Sequence, residues 1–161
     1  MGLPLKRDYR YNQGYYKPIY PKKYIGREVP IFRSGIELKF FKFCDSNPNV
    51  IKWSSEDIKI PYWDDVTRKN RTYYVDNFVE IREGNIIKQY LVELKDKRET
   101  VPPNPKSKKK KSTLLYEEFQ WRTNNSKWKY AQQFCKEHKL EFLLLAYSNK
   151  EGFQSVKLDF I

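Results

Sequence analysis

The stretch Arg71-Thr-Tyr-Tyr-Val-Asp76-Asn-Phe-Val-Glu-Ile81-Arg-Glu-Gly84-Asn85-Ile86-Ile-Lys-Gln-Tyr-Leu-Val-Glu93-Leu-Lys95 decides how this chain folds. Both halves are rich in β-branched and aromatic residues, and Glu-Gly-Asn between them is a turn signal. The reading is a hairpin, Arg71 to Ile81 followed by Ile86 to Lys95. With Gly84-Asn85 as a two-residue turn, Glu83 pairs with Ile86 and the same register sets Asp76 opposite Glu93. Glu93 and Lys95 are two residues apart and share one face of their strand with Asp76 across the ladder. Val75, Phe78, Val92 and Leu94 around them are apolar, so the acids are expected in core-type strands, where an uncompensated carboxylate is costly.

Outward toward the N-terminus, Asp57 to Tyr62 alternates as a short strand and Trp63 to Asn70 is polar enough for a loop. A helix is expected from Gly35 to Asp45, with Ser34 as its N-cap, an Ile36/Phe40/Phe43 stripe and a stop at Asn47-Pro48-Asn49. Toward the C-terminus, Pro102, Pro103 and Pro105 lead into a lysine run at 106–111, and the segment at about 100–112 reads as a loop. Residues 125–138 read as a second helix with Trp128, Ala131, Phe134 and Cys135 on one side. Leu140 to Tyr147, the most apolar strand, is expected at the centre of the sheet. The order helix, three strands, helix, strand gives an α/β domain (αβββαβ) with a mixed central sheet flanked by helices, over residues 31–161.

Residues 1–30 form an arm without either period. Tyr9, Tyr11, Tyr15, Tyr16, Tyr20 and Tyr24 alternate there with Lys6, Arg7, Arg10, Lys17, Lys22 and Lys23. Such a mixture suits phosphates and bases, and equally suits a segment wrapped on the domain with its rings buried. Gly14-Tyr-Tyr and Tyr24-Ile-Gly26 faintly echo GIY-YIG nucleases, but Pro18 and Pro21 interrupt the strand that motif needs.

The 161 residues carry 32 Lys and Arg against 20 Asp and Glu, a formal net charge of +12, which points to a polyanionic partner. No stretch has the roughly 20 apolar residues of a membrane span, and the start lacks the apolar region of a secretion signal. Cys44 and Cys135 fall in apolar helical segments and are expected as buried free thiols. With a single histidine, His138, the chain cannot supply a structural zinc site or a histidine-dependent nuclease.

Two carboxylates and a lysine on one sheet face can be a cross-strand salt bridge. They can also be a Mg2+ site, the acids supplying oxygen ligands together with a backbone carbonyl. The lysine would then orient or help deprotonate the attacking water, or stabilise charge developing on a phosphate. Glu37 has two readings as well. Ser34-Gly-Ile-Glu37 is a capping box, and the same carboxylate on the first helical turn can be aimed at the acids.

The segments Arg33-Ser-Gly-Ile-Glu37, Tyr74-Val-Asp76 and Val92-Glu-Leu-Lys95 resemble the PD-(D/E)XK endonuclease superfamily, in the branch of the Tn7-type transposition endonuclease. Phe43-Cys-Asp-Ser-Asn-Pro-Asn-Val50, Trp53-Ser-Ser-Glu56, Ile60-Pro-Tyr62, Lys127-Trp128 and Phe134-Cys135 extend the likeness, over about residues 24–148, to the head-completion nuclease family of T4-like phages. The resemblance implies a metal-dependent DNA endonuclease acting in phage head completion after packaging, in the host cytoplasm or the virion. Portal or other head-completion proteins would be its partners. It implies Glu37, Asp76, Glu93 and Lys95 as the catalytic set, with Glu37, Asp76 and Glu93 holding Mg2+, for which Mn2+ can substitute. The proline that names the motif is absent, Val75 standing before Asp76. Lys106, Lys108, Lys109, Lys110 and Lys111, with Arg33 and Lys127, are the candidate DNA contacts. The rival readings are a non-catalytic DNA-binding head-assembly or portal-plugging protein and an RNA-binding accessory protein.

Overall fold

The computed structural model of the chain describes residues 12–158, so Lys6, Arg7, Tyr9, Arg10 and Tyr11 of the expected arm lie outside the described residues. The 71–95 hairpin has the expected register. Strand β6 (Asn77–Glu83) pairs antiparallel with β7 (Ile86–Asp96), Glu83 opposite Ile86 and Asn77 opposite Val92. Gly84 adopts φ +61 in the turn, a conformation that glycine accepts without strain.

The single run expected from Arg71 to Ile81 contains a break. It is two strands, β5 (Lys69–Tyr74) and β6, separated at Val75-Asp76. Opposite them lie β3 (Val50–Ser55), which the sequence reading left unassigned, and β4 (Lys59–Asp64), shifted two residues from the strand expected at 57–62. Ser55 pairs with Asn77 and Lys59 with Tyr74, so three residues, 56–58, face two, 75 and 76. This is a bulge in one long ribbon. The backbone stays connected through it, Glu56 N–H donating to the Asp76 carbonyl (3.0 Å) and Val75 N–H to the Ile58 carbonyl (3.1 Å). Glu56 takes φ +51, uncommon for a residue with a Cβ. The ribbon bends there, β3 and β6 remaining in the main sheet while β4 and β5 form a separate two-stranded sheet.

The main sheet has the order β3-β6-β7-β8-β9, with β8 at Glu141–Ser148 and β9 at Gly152–Val156. β7 and β8 run parallel and the other pairs are antiparallel, so the mixed sheet is as expected. Its central strand is β7 rather than β8. β8 is apolar because both its edges are paired, the outer one by β9, a strand without an apolar run of its own.

Helix α1 (Gly35–Ser46) covers one face, burying Phe40, Phe41 and Cys44 against Trp53, Val50, Val79, Val92 and Leu94. Phe43, expected in the buried stripe, is 41% exposed, because the face turned to the sheet runs 40, 41, 44. On the other face α2 (Lys111–Glu137) and the β4–β5 hairpin enclose Leu91, Tyr73, Val75, Ile60, Tyr62, Ala131 and Cys135. Both cysteines are buried and free. The helix expected over 125–138 begins at Lys111, which shortens the lysine loop. Its first half carries no apolar stripe because little packs on it, and Leu115, Tyr116 and Phe119 are exposed.

Residues 12–32 wrap the domain. β1 (Gly14–Tyr15) pairs with β2 (Ile31–Phe32), and the Tyr24 ring lies edge-on to Trp53 at 4.7 Å. The buried Asp45 carboxylate accepts from the Tyr16 hydroxyl (2.7 Å) and from the backbone N–H groups of Ile19 (2.7 Å) and Tyr20 (3.0 Å). Tyr16 and Tyr24 are therefore packing residues, whereas Tyr15 and Tyr20 face solvent. Asp45→Ala would strand these donors and is expected to cost about 2–3 kcal/mol. Urea denaturation measures this, and a loss under about 0.5 kcal/mol would mean that the segment is held by its rings instead.

Candidate active site

Asp76 sits in the bulge, one residue beyond the last ladder pair of β6. Its carboxylate is turned toward β7, where Oδ2 accepts the Leu94 N–H at 2.8 Å and the side chain shares a hydrogen bond with Glu93. Asp76 and Glu93 thus meet as the register implied, although the bulge rather than a regular ladder pair brings them together. Glu93 is only 5% exposed and its Oε2 accepts the Tyr73 hydroxyl at 2.5 Å. Tyr73 was not singled out in the sequence. Its signal is its place two residues before Val75 on the strand face that meets α2.

Burial raises the Asp76 carboxyl well above the ordinary range, and the negative charges of Glu93 and Glu37 add to the shift. Burial also acts to raise Glu93, but the hydrogen bond from Asp76, the charge of Lys95 and the bond from Tyr73 outweigh it and hold this carboxyl low. The opposite shifts are those of two close carboxyls that titrate as a pair, the proton favoured on the Asp76 side. Lys95 remains charged. Burial disfavours its ammonium, but Glu93 and Asp76 raise its basicity above normal. A lysine so held is a hydrogen-bond donor and a positive charge, which favours the charge-stabilising role over that of a base.

Glu37 reaches the same place from the first turn of α1. The Ser34 cap is present, its Oγ accepting the Glu37 N–H (3.3 Å), and Glu37 Oε2 accepts from the Arg33 N–H, one residue before the cap, and from the Ser34 hydroxyl (3.1 Å each). Glu37 also lines, with Asp76 and Lys95, a cleft of about 910 Å3. The cap and the site are one arrangement. Burial raises the Glu37 carboxyl to about 7, the Ser34 bond opposing and the charge of Glu56 adding to it.

Of the expected DNA contacts, Arg33 lines the cleft and Lys127 is partly buried. The Arg33 guanidinium grips Glu56 with two bonds (2.6 and 2.9 Å), tying the start of α1 to the bulge. Lys127 is partly buried behind Glu93, its ammonium 5.7 Å from the centre of the Tyr73 ring. Burial lowers its basicity, the charge of Glu93 opposing. Lys106, Lys108, Lys109, Lys110 and Lys111 are exposed, and Lys109, which lines the cleft, pairs with Glu117 at 2.6 Å.

Among the described residues no three His, Cys, Asp or Glu side chains converge as a ready-made cation site. The donor set nonetheless fits a hard divalent ion. Asp76 and Glu93 offer paired carboxylate oxygens, and a cation between them would replace the proton of the pair.

Residues 47–146 match the family model described as TnsA-like endonuclease N terminal. The chain is also 33% identical over 127 residues to the head completion nuclease of Enterobacteria phage T4, covering 76% of this chain and 83% of that one. The matched segment contains Asp76, Glu93, Lys95 and Lys127, and Glu37 lies just before it.

The raised Glu37 fixes a pH dependence. A carboxyl whose folded value lies above its unfolded one stabilises the protein below the unfolded value, and that stability is lost as pH rises through about 7. Glu37→Gln should therefore flatten the fall in melting temperature between pH 5 and 8. It should also impair cleavage more than stability. If stability alone suffers, the carboxylate serves only as a cap.

Proposed function

This chain belongs to the TnsA-like endonuclease family, and from that membership we propose that it is a metal-dependent DNA endonuclease that acts in phage head completion, trimming DNA after packaging. The observation that carries the reading is the placing of Asp76 and Lys95 at the floor of a cleft that Glu37 also lines, with the buried Glu93 hydrogen-bonded to Asp76 behind them. A salt bridge alone would not need two carboxyls forced to titrate as a pair beside an open cleft. Perturbed carboxyls in such a place are the mark of a site that works on a ligand.

In this reading Asp76 and Glu93, with Glu37 at the rim, hold Mg2+, and Mn2+ can take its place. Bound there, the cation supplies Lewis acidity toward the scissile phosphate and a lowered pKa for the attacking water. Tyr73 and Lys127 fix Glu93 from behind, so that its free oxygen is presented in one orientation. Lys95 keeps its proton, donates hydrogen bonds to the phosphoryl oxygens and offsets the charge that builds as water adds to phosphorus. Lys109 lines the cleft, and with the exposed Lys106, Lys108, Lys110 and Lys111 beside it in the chain it suits the DNA backbone. Among the described residues no helix is long and apolar enough to cross a membrane.

The net charge of +12 also favours a second reading, a protein that grips packaged DNA or plugs the portal without cutting. Plasmid DNA with Mg2+ or Mn2+, set against an EDTA control, separates the two. Asp76→Ala and Lys95→Ala are each expected to lower cleavage by about a hundredfold or more while retaining most DNA affinity in metal-free buffer. Full cleavage by either variant would remove these residues from the site, and steep salt-dependent binding without any nicking by the unmodified protein would favour the second reading.

A further inference from the structure

The wall of the cleft above the acids differs from its floor. The cleft is bounded by the start of α1, the end of β7, the segment after it and the first half of α2. Three rings line it. Tyr147 is anchored edgewise on Phe153 (5.1 Å), with the Lys39 ammonium 5.9 Å from its centre. Trp121 stands edge-on to Trp128 at 6.1 Å. Tyr116 is 63% exposed, and among the described residues no other ring lies against it. An anchored ring has a structural use. A tyrosine held out from a helix beside an acidic floor, with its face in water, has none within the fold.

Although the chain carries +12, the cleft lining has as many carboxylates as cations. Three of the cations are already engaged, Arg33 by Glu56 (2.6 Å), Arg98 by Asp96 (3.0 Å) and Lys109 by Glu117 (2.6 Å). The free aromatic faces and the amides of Gln120 and Asn149 suit bases. Base faces are hidden in a duplex and available only in an unpaired strand. The volume of about 910 Å3 accommodates a short run of nucleotides and falls well short of a turn of duplex.

We propose that this cleft binds unpaired DNA, a base stacking on Tyr116, so that the preferred substrate is a duplex bearing a single-stranded tail or flap that is cut where the strand crosses the acids. The inference rests on the nuclease reading of those acids, but its binding part can be tested without cleavage.

The probe is a duplex with a short single-stranded tail carrying 2-aminopurine, compared in EDTA with a blunt duplex of equal length. The tailed duplex should bind about five- to tenfold tighter, with the fluorophore quenched by stacking. Tyr116→Ala should abolish most of that preference and the quenching without lowering the melting temperature. Tyr116→Phe should retain both, as should Leu115→Ala, whose side chain is exposed but does not line the cleft. Equal affinity for tailed and blunt duplexes, or a preference that survives Tyr116→Ala, overturns the inference. Metal-dependent cutting with no tail preference would overturn it and leave the nuclease reading standing. A Tyr116-dependent tail preference with no cutting in Mg2+ or Mn2+ would uphold the tail site and remove the nuclease.

Discussion

The arrangement of this domain depends on the bulge in which residues 56–58 face 75 and 76. An extra residue in one strand bends the ribbon and re-aims the side chains on both sides of it. Here it sends β4 and β5 out of the sheet to meet α2, and it turns the Asp76 carboxylate onto the Leu94 amide. It also gives Glu56 a position from which to hold Arg33 through two bonds. Arg33 stands directly before the cap of α1, and its own amide binds Glu37. One local irregularity thus fixes an acid on the sheet and an acid on the helix relative to each other. The backbone strain of Glu56 and the unpartnered side-chain oxygen of Asn77, buried beside the bend, are costs concentrated at this spot.

The hairpin register was legible because a two-residue Gly-Asn turn leaves little freedom in pairing, and it brought Asp76 and Glu93 together on the sequence alone. The bulge escapes a reading of Arg71 to Ile81 as one run on its β-branched and aromatic content, although alternation breaks at Asp76-Asn77 and Phe78-Val79. That change of phase is the one mark in the residues that Tyr74 and Asn77 belong to different strands. The first half of α2 was missed for another reason. A helix that packs on little shows no apolar stripe, and periodicity reports burial rather than helicity. The same lack of a buried stripe hid β9, and its pairing moved the apolar β8 away from the centre. Charge alone did not reveal that Arg33 is bonded to Glu56 at the edge of the cleft or that Lys127 lies partly buried near Glu93.

Burial and charge are in tension throughout the site. Tyr73, Val75 and Leu91 make a dry floor on which two carboxylates cannot both ionise unaided. Lys95 supplies one positive charge, Lys127 stands behind, and the balance is left to a proton on the Asp76 side of the pair. A fully satisfied salt bridge would be stable and inert. This cluster is short of positive charge at the point where it meets the cleft, a condition that invites a cation.

Helix α2 belongs to two regimes of stability. From Asn124 to Cys135 its buried side chains lock it into the core, so its amides there exchange with solvent only when the whole domain opens. From Lys111 to about Gln120 its hydrogen bonds have almost nothing packed on them and can open by local fraying. The compliant half walls the cleft and the rigid half backs Glu93 through Lys127. In the proposed tail-binding reading, the loosely packed half is the part of the helix that adjusts to the strand, while the carboxylates are backed by the half locked into the core.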